Sequence, residues 1–317
     1  MRDFNQKNMQ RTDLADEKEE YLRELSGADV PGIHVERTNV DGYNVHIMQV
    51  INKDGEKATG KPVGKYVTVD IGKIWLYDKQ SFNRVCNVLA NFIREFVPSD
   101  NGSCMLAALG NKNIIADASG PFTAENFIVT RHIKQENPEM FKELDMRETV
   151  CICPGVLGST GLEAAQIIKG AITEAKPDFI IAVDALASRR LCRLAATVQI
   201  CNTGISPGSG INNARKELSE ATLGIPVIAI GIPTVVEVTT LATDIIWSVA
   251  EKSGEEKIKK AAGEIVRELN ADEAQGFFVT PKETDHIIKD TSKLIGYAIN
   301  LALHKGLSFE EIDEFLS

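Results

Sequence analysis

Short, wholly apolar segments that alternate with helical segments constrain the fold of this 317-residue chain most strongly. From residue 103 onward they read SCMLAALG, TVCICPGV, PDFIIAVDAL and IPVIAIGIP. A strand that is apolar on every residue is buried on both faces, and helices between such strands are typical of crossover connections. The sequence therefore predicts an α/β fold with a mixed or mainly parallel sheet flanked by helices.

Segments on both sides of this region extend the fold. Two alternating runs within residues 33–70 flank Asp41-Gly42, a pair that predicts a β-hairpin, so we expect an N-terminal β elaboration. Apolar spacing predicts amphipathic helices over 79–97 and 122–135, and two or three further helices at the C-terminal end.

Composition argues against several classes of function. The chain has 45 acidic and 35 basic residues and a net charge of −10, whereas direct nucleic-acid binders are usually basic. It contains no apolar run of roughly 18 residues and no apolar core of a signal peptide near Met1. We therefore expect no direct nucleic-acid binding, no membrane association, and a cytoplasmic protein whose six cysteines are reduced.

Two aspartates follow apolar runs where strand ends are expected. Asp184 comes directly after FIIAV, and Asp117 follows NIIA ahead of a loop that leads into a helix. Open parallel sheets bind ligands beyond the carboxyl ends of their strands, so the two carboxylates are candidates for one site. Two carboxylates held close share one proton, and such a pair can deprotonate water and protonate a leaving amine. Either aspartate taken alone is more simply explained as a helix N-cap.

A glycine-rich stretch over residues 203–213, TGISPGSGINN, predicts a tight loop. Its candidates for binding a substrate carbonyl, an oxyanion or a phosphate through backbone N–H groups are Gly204, Gly208, Ser209 and Gly210. The stretch lacks the Gly-Lys-Ser/Thr ending of a P-loop, and a plain turn explains it equally well.

The histidines and cysteines do not predict a metal or cofactor site. The five histidines are scattered, and no HExxH or comparable ligand spacing occurs. The spacing of Cys151 and Cys153 differs from CxxC, and we expect core thiols because alternate residues of a strand share a face. We therefore expect no metal and no cofactor.

Several blocks of the sequence together resemble the germination protease (spore protease) of endospore-forming bacteria. The likeness runs from Arg11 nearly to residue 250, and the combination of blocks is specific although no single block is. The blocks are ADASGP (116–121), VTRH (129–132), PGV (154–156), PDF (177–179), DALA (184–187), TG (203–204), GSG (208–210) and LGIPVIAIG (223–231).

That resemblance implies an endopeptidase that initiates degradation of small acid-soluble spore proteins during germination. The family is of an atypical aspartic type, and Asp117 and Asp184 stand at the positions of its proposed catalytic pair. The resemblance also implies a fold related to the hydrogenase-maturation proteases, a homotetramer, and a location in the cytoplasm of the forespore and the spore core.

The resemblance further implies a zymogen that removes its own N-terminal arm. Family substrates are cut after an acidic residue that precedes a large apolar and then a small residue, the pattern of Asp13-Leu14-Ala15. We expect cleavage between Asp13 and Leu14, with residues 1–13 as a propeptide arm and 14–317 as a single α/β protease domain. Mild acid is expected to favour processing because it supplies the single proton of the pair. Thr12 or Asp13 is also a candidate N-cap of a helix that begins near Leu14.

Two other functions are compatible with the residues alone. Glycine-rich loops at strand ends also suit a phosphate or nucleoside ligand, as in phosphorylase-like α/β enzymes. A structural spore protein, in which the aspartates act only as caps, is the non-catalytic alternative.

Overall fold

One mixed sheet forms the centre of the computed structural model, which describes residues 12–208, 215–271 and 276–317. The described strands are β1 (Ile33–Val40), β2 (Tyr43–Val50), β3 (Gly64–Asp70), β4 (Cys104–Ala108), β5 (Thr149–Ile152), β6 (Phe179–Ser188), β7 (Thr197–Cys201), β8 (Val227–Glu237) and β9 (Phe278–Val279). They lie in the order β1-β2-β3-β7-β8-β6-β4-β5, and β9 pairs with β8.

The sheet combines a parallel half with an antiparallel half. Strands β5, β4, β6 and β8 are parallel, as the apolar runs predict, and β1, β2, β3 and β7 are antiparallel to their neighbours. The two halves join where β7 pairs antiparallel with β8. The predicted turn between β1 and β2 is present, and both Asp41 and Gly42 have positive φ there.

Helices cover both faces of the sheet. They are α1 (Ala15–Ser26), α2 (Lys53–Thr59), α3 (Lys79–Phe96), α4 (Ser119–Ala124), α5 (Arg131–Glu136), α6 (Pro138–Glu143), α7 (Leu157–Thr160), α8 (Ala164–Ala175), α9 (Glu220–Leu223), α10 (Val238–Ser253), α11 (Glu256–Ala271), α12 (Thr284–Leu303) and α13 (Phe309–Leu316). In these parts of the chain, no helix is both long enough and apolar enough to cross a bilayer.

The main core lies between the sheet and the helices α3 and α12. Alternate residues of β6, such as Ile181 and Val183, pack there with residues of α3 and α12. The other face of β6, with Ile180 and Ala182, packs against α8. Helix α1 reaches that same face farther along, where Ala15 packs among residues of β2, β3, β7 and β8. Side chains alternate along a strand, so odd-numbered residues of β6 such as Ile181 face the core with α3 and α12, and even-numbered residues such as Ile180 face α8.

The structure differs from the sequence-based prediction around the site. The single helix expected over 122–135 is wrong: the chain forms α4 and α5, with non-helical backbone between them. The amide of Asn300 explains the break, because its oxygen accepts from Ile128 N–H at 3.0 Å and its nitrogen donates to the carbonyl of Asn126 at 2.9 Å. The strand expected just before Asp117 is also wrong, because Ile115–Asp117 forms a short 3-10 helix.

Candidate active site

Asp184 lies inside a strand rather than at its end. Strand β6 continues to Ser188, so the sequence-based placement of Asp184 at a strand terminus is wrong. The neighbouring strand β4 stops at Ala108, opposite Val183. Beyond Val183, strand β6 therefore has no partner on the β4 side within the described residues, and Asp184 is the first residue of this unpaired edge. The residue is nevertheless only 4 % exposed.

Asp117 reaches the same edge through the connection from β4 to α4. Its carbonyl accepts a hydrogen bond from Asn111 N–H at 2.9 Å, which closes the loop around Gly110. At Gly110, φ is +110° and a Cβ would lie 2.0 Å from that carbonyl oxygen, so the loop requires glycine there. Thr234 of β8 donates to the carbonyl of Ala116 at 2.6 Å and ties the loop to the sheet.

The first turn of α4 packs directly on the strand backbone beside Asp184. A Cβ at Gly120 would lie 2.1 Å from the carbonyl oxygen of Leu109 and 2.8 Å from that of Val183. Only a residue without a side chain allows this approach, which holds the segment after Asp117 against the residue before Asp184.

The electrostatics of the two aspartates are linked. Burial, followed by the negative charge of Asp117, raises the pKa of Asp184 well above its ordinary value. Burial also raises the pKa of Asp117, to about 6. Asp184 therefore holds its proton more tightly than an ordinary carboxyl group, and its titration depends on the charge of Asp117.

The N-terminal segment lies against this site. The backbone N–H of Asp13 donates to the carbonyl of Ala187 at 2.8 Å, and Ala187 N–H donates to the carboxylate of Asp13 at 2.9 Å. The charge of Asp13 also contributes to the raised pKa of Asp184. Thus the structure brings together three residues named from the sequence. Residues 1–11 of the expected propeptide arm lie outside the described residues.

Neither Thr12 nor Asp13 caps α1, contrary to the alternative drawn from the sequence. Leu14 occupies the N-cap position and its side chain makes no capping bond. Instead, the hydroxyl of Thr12 accepts from Leu14 N–H at 3.1 Å, and Leu14 is fully buried. The carboxylate of Asp13 is already engaged by β6, which explains why it does not serve the helix.

Acidic residues of α1 bind an arginine-rich segment that sequence reasoning missed. Asp16, which is fully buried, pairs with Arg193 at 2.8 Å. The carboxylate of Glu17 accepts from the backbone N–H groups of Arg189 and Arg190 at 2.6 and 3.0 Å. These contacts fix α1, and with it the segment that precedes it, on the connection between β6 and β7.

Two more residues missed from the sequence contact the peptide bond between Asp13 and Leu14. The carbonyl of Asp13 accepts from Lys61 Nζ at 2.6 Å and from Gln199 Nε2 at 3.4 Å. The side-chain oxygen of Gln199 also accepts from Ala15 N–H at 2.7 Å. A polar residue inside the apolar run TVQIC was a usable signal for Gln199, whereas Lys61 looks like any lysine of a solvent-facing loop.

The glycine-rich loop is only partly described. Gly204 and Gly208 lie in the described part and have positive φ, whereas Ser209 and Gly210 lie outside it. A Cβ at Gly204 would lie 2.0 Å from the carbonyl oxygen of Leu218, where Ile205 and Leu218 form an isolated bridge. This turn geometry accounts for Gly204, and the substrate or oxyanion role of the loop stays a prediction.

The described part of the chain holds no candidate metal site, and one of the two expected core thiols is exposed. Within residues 12–208, 215–271 and 276–317, no three His, Cys, Asp or Glu side chains are grouped to hold a metal ion. The expectation that Cys151 and Cys153 are both core thiols is wrong, because Cys153 is exposed. Strand β5 ends at Ile152, so the alternation that would bury Cys153 stops before it.

Comparison with known proteins places the chain in a family. Residues 8–271 match the family model described as germination protease. A germination protease from Caldanaerobacter subterraneus subsp. tengcongensis is 40% identical over 96% of this chain and 98% of its own length. The germination proteases of Clostridium tetani (40% identical, 97% and 99% covered) and Halalkalibacterium halodurans (36% identical, 96% of both chains) are similar over nearly the whole chain too. This chain therefore belongs to the germination protease family and is a peptidase.

Proposed function

We propose that this peptidase is an endopeptidase that initiates the degradation of small acid-soluble spore proteins during germination, with Asp117 and Asp184 as its catalytic pair. The observation that carries the proposal is the convergence of these two carboxyl groups at one sheet edge, with the Asp13 segment lying beside them. The linked pKa values suit two acids that exchange one proton with a substrate.

The pair hydrolyses a peptide bond without any other reactive group. Ionised Asp117 takes a proton from water, and the water oxygen bonds to the carbonyl carbon while the π electrons of the carbonyl move to its oxygen. Protonated Asp184 then donates its proton to the amine nitrogen as the carbon–nitrogen bond breaks. Asp117 ends protonated and Asp184 ionised, so one proton remains on the pair and its return to Asp184 resets the site.

The same site processes the enzyme's own chain. Asp13-Leu14 has the sequence pattern of a family cleavage site, and its backbone is already paired with Ala187 of β6. The full-length chain is a zymogen in which residues 1–13 form the propeptide, and cleavage leaves Leu14 as the new N-terminus.

We also propose an assembly and a location for the protein. Four chains form a homotetramer in the cytoplasm of the forespore and the spore core. Apolar side chains of α10 and α11 that are half or more exposed, Ile245, Val249 and Ile265, offer surface for subunit contacts. Light scattering coupled to gel filtration is expected to give the mass of four chains, and a single-chain mass contradicts this part of the proposal.

The test of the catalytic pair compares Asp117→Asn and Asp184→Asn with Asp29→Asn, an exposed aspartate near the end of α1. Each purified full-length variant is incubated with a small acid-soluble spore protein, and products are followed on gels and by intact mass. Asn at either site is expected to abolish substrate cleavage and release of residues 1–13, while Asp29→Asn behaves as wild type. Near-normal turnover by either site variant refutes the assignment.

A further inference from the structure

Resting on the proposed function, we infer that Lys61 and Gln199 bind the backbone on the two sides of the scissile bond, and that the ammonium of Lys61 stabilises the oxyanion formed during hydrolysis. Thr12–Ala15 would then occupy the cleft as a built-in substrate. Its contacts with Lys61 and Gln199 show how an incoming spore protein is held.

Lys61 is positioned by the end of α2. That helix ends at Gly60 with φ +65°, and the Lys61 N–H donates to the hydroxyl of the fully buried Thr59 at 3.2 Å. This turn directs the lysine side chain toward α1, where its Nζ lies 2.6 Å from the carbonyl oxygen of Asp13. A cation thus already contacts the oxygen atom on which negative charge develops when water adds to the carbonyl carbon.

Gln199 binds both sides of Leu14 with one amide group. Its nitrogen donates to the carbonyl before Leu14 at 3.4 Å, and its oxygen accepts from the N–H of Ala15 at 2.7 Å. The amide therefore sets the register of the chain relative to the sheet. Gln199 is 7 % exposed, so its two hydrogen-bonding groups have few competing partners in water.

The sheet places Gln199 and Asp184 on the same face. Gln199 of β7 is paired with Gly231 of β8, and Gly231 is paired with Asp184 of β6. Residues in register across a sheet project to the same side, so the glutamine and the aspartate lie in one row. Gly231 contributes no side chain between them, and Leu186 fills the position that its Cβ would occupy. The groups that hold the peptide and the groups that cleave it thus share one surface.

The residues around the Asp13–Leu14 bond suit a substrate with an acidic residue just before the cleaved bond and a small residue at the second position after it. The carboxylate of Asp13 is bound by Ala187 N–H at 2.9 Å. Burial lowers the pKa of nearby Lys18 to about 8, and the charge of Lys61 lowers this pKa while the charge of Asp13 raises it. Ala15 is fully buried against a cluster that includes Met48 and Tyr66. A larger side chain at that position would displace the backbone from Gln199.

In the chemical step, Lys61 retains its proton throughout. It donates a hydrogen bond to the carbonyl oxygen, which becomes the oxyanion when the π electrons move onto it, and the hydrogen bond strengthens as this charge grows. The proton that reaches the leaving amine comes from the aspartate pair, as proposed above. Lys61 therefore acts on the transition state, whereas Gln199 positions the chain.

The experiment measures the first-order rate constant of self-processing in full-length Lys61→Met, Lys61→Arg and Gln199→Leu. Matched controls are Lys57→Met on α2 and Gln49→Leu on β2, both at exposed positions. Lys61→Met is expected to slow processing about 100-fold, Gln199→Leu about 10-fold, and the controls less than about 2-fold. Lys61→Arg keeps the charge and is expected to recover at least about a tenth of the wild-type rate. Far-ultraviolet circular dichroism confirms that each variant is folded.

A second measurement separates catalysis from binding. Wild type and Lys61→Met, each allowed to complete processing, are compared in kcat and KM on a small acid-soluble spore protein. The inference predicts a lower kcat with KM changed less than about 3-fold. A Lys61→Met rate within about 3-fold of wild type overturns it, as does a change in KM alone or an equal defect in Lys61→Arg. If Asp117→Asn and Asp184→Asn are inactive while Lys61→Met is normal, only this inference fails; if the Asn variants are active, the proposed function fails.

Discussion

The charge of Asp117 raises the pKa of Asp184 across the gap between a loop and a strand that are 67 positions apart in the chain. Burial alone would raise the pKa of either carboxyl group, but the dependence of one on the other makes the two titrate as a pair. The acidic limb of any pH profile then reports mainly Asp117, whose pKa is about 6.

Substrate cleavage by the processed enzyme is therefore expected to rise with pH through about 6, as Asp117 becomes ionised. Burial raises the pKa of Asp184 well above its ordinary value, so lower pH is expected to act on substrate cleavage mainly by protonating Asp117. The expectation that mild acid favours self-processing concerns a different reaction and stays a prediction. The measurement is kcat/KM on a spore protein from about pH 5 to 8, and a flat profile contradicts the assignment.

Stability should also depend on pH through Asp184. A carboxyl group whose pKa is raised on folding stabilises the native state fully below its unfolded pKa, and this contribution is lost as the pH rises toward the folded pKa. Asp184→Asn lacks this titration. The free energy of unfolding of wild type relative to Asp184→Asn should thus fall, by up to about 1.4 kcal/mol per pH unit, as the pH rises above about 5, where the unfolded carboxyl group is ionised. Urea titrations at several pH values test this, and parallel curves for the two proteins would falsify it.

Gly120 offers a test of the packing that holds the site together. Gly120→Ala places a Cβ 2.1 Å from a backbone carbonyl oxygen that has little room to move, so α4 must shift away from β6. We expect a loss of about 2–3 kcal/mol in the free energy of unfolding, together with reduced activity. Gly158→Ala, where the added carbon meets nothing within 4 Å, is the control and should change stability by less than about 0.5 kcal/mol. Equal effects of the two substitutions contradict the packing account.

Arg193 tests the attachment of α1. Arg193→Met leaves the fully buried carboxylate of Asp16 without its cation, which we expect to cost about 3 kcal/mol in denaturant unfolding. The control is Lys53→Met, which removes the highly exposed partner of Glu56 and should cost less than about 0.5 kcal/mol. If Arg193→Met is as mild as Lys53→Met, the ion pair with Asp16 does not hold the helix.

The sequence was informative where local pattern decides structure. Apolar runs placed the parallel strands, and a carboxylate directly after such a run made Asp184 a candidate site residue. The continuation of β6 past Leu186 to Ser188 could not be predicted, because it depends on pairing with β8 that only the folded sheet provides. The same holds for the break after α4, which exists because Asn300, far away in the chain, binds the backbone there. Lys61 was missed for that reason too, since its partner lies 48 positions away.

Cleavage after Asp13 would leave α1 pinned at Asp16 and Glu17 by the arginine segment, since those contacts lie on the carboxyl side of the cut. Leu14 would then be the first residue, joined directly to the buried Ala15 at the start of α1, and would carry a new ammonium group. This short attachment keeps the new terminus near the cleft at a high effective concentration. Every spore protein that enters must therefore compete with the enzyme's own terminus, and repelling that terminus would speed the enzyme without altering its chemistry.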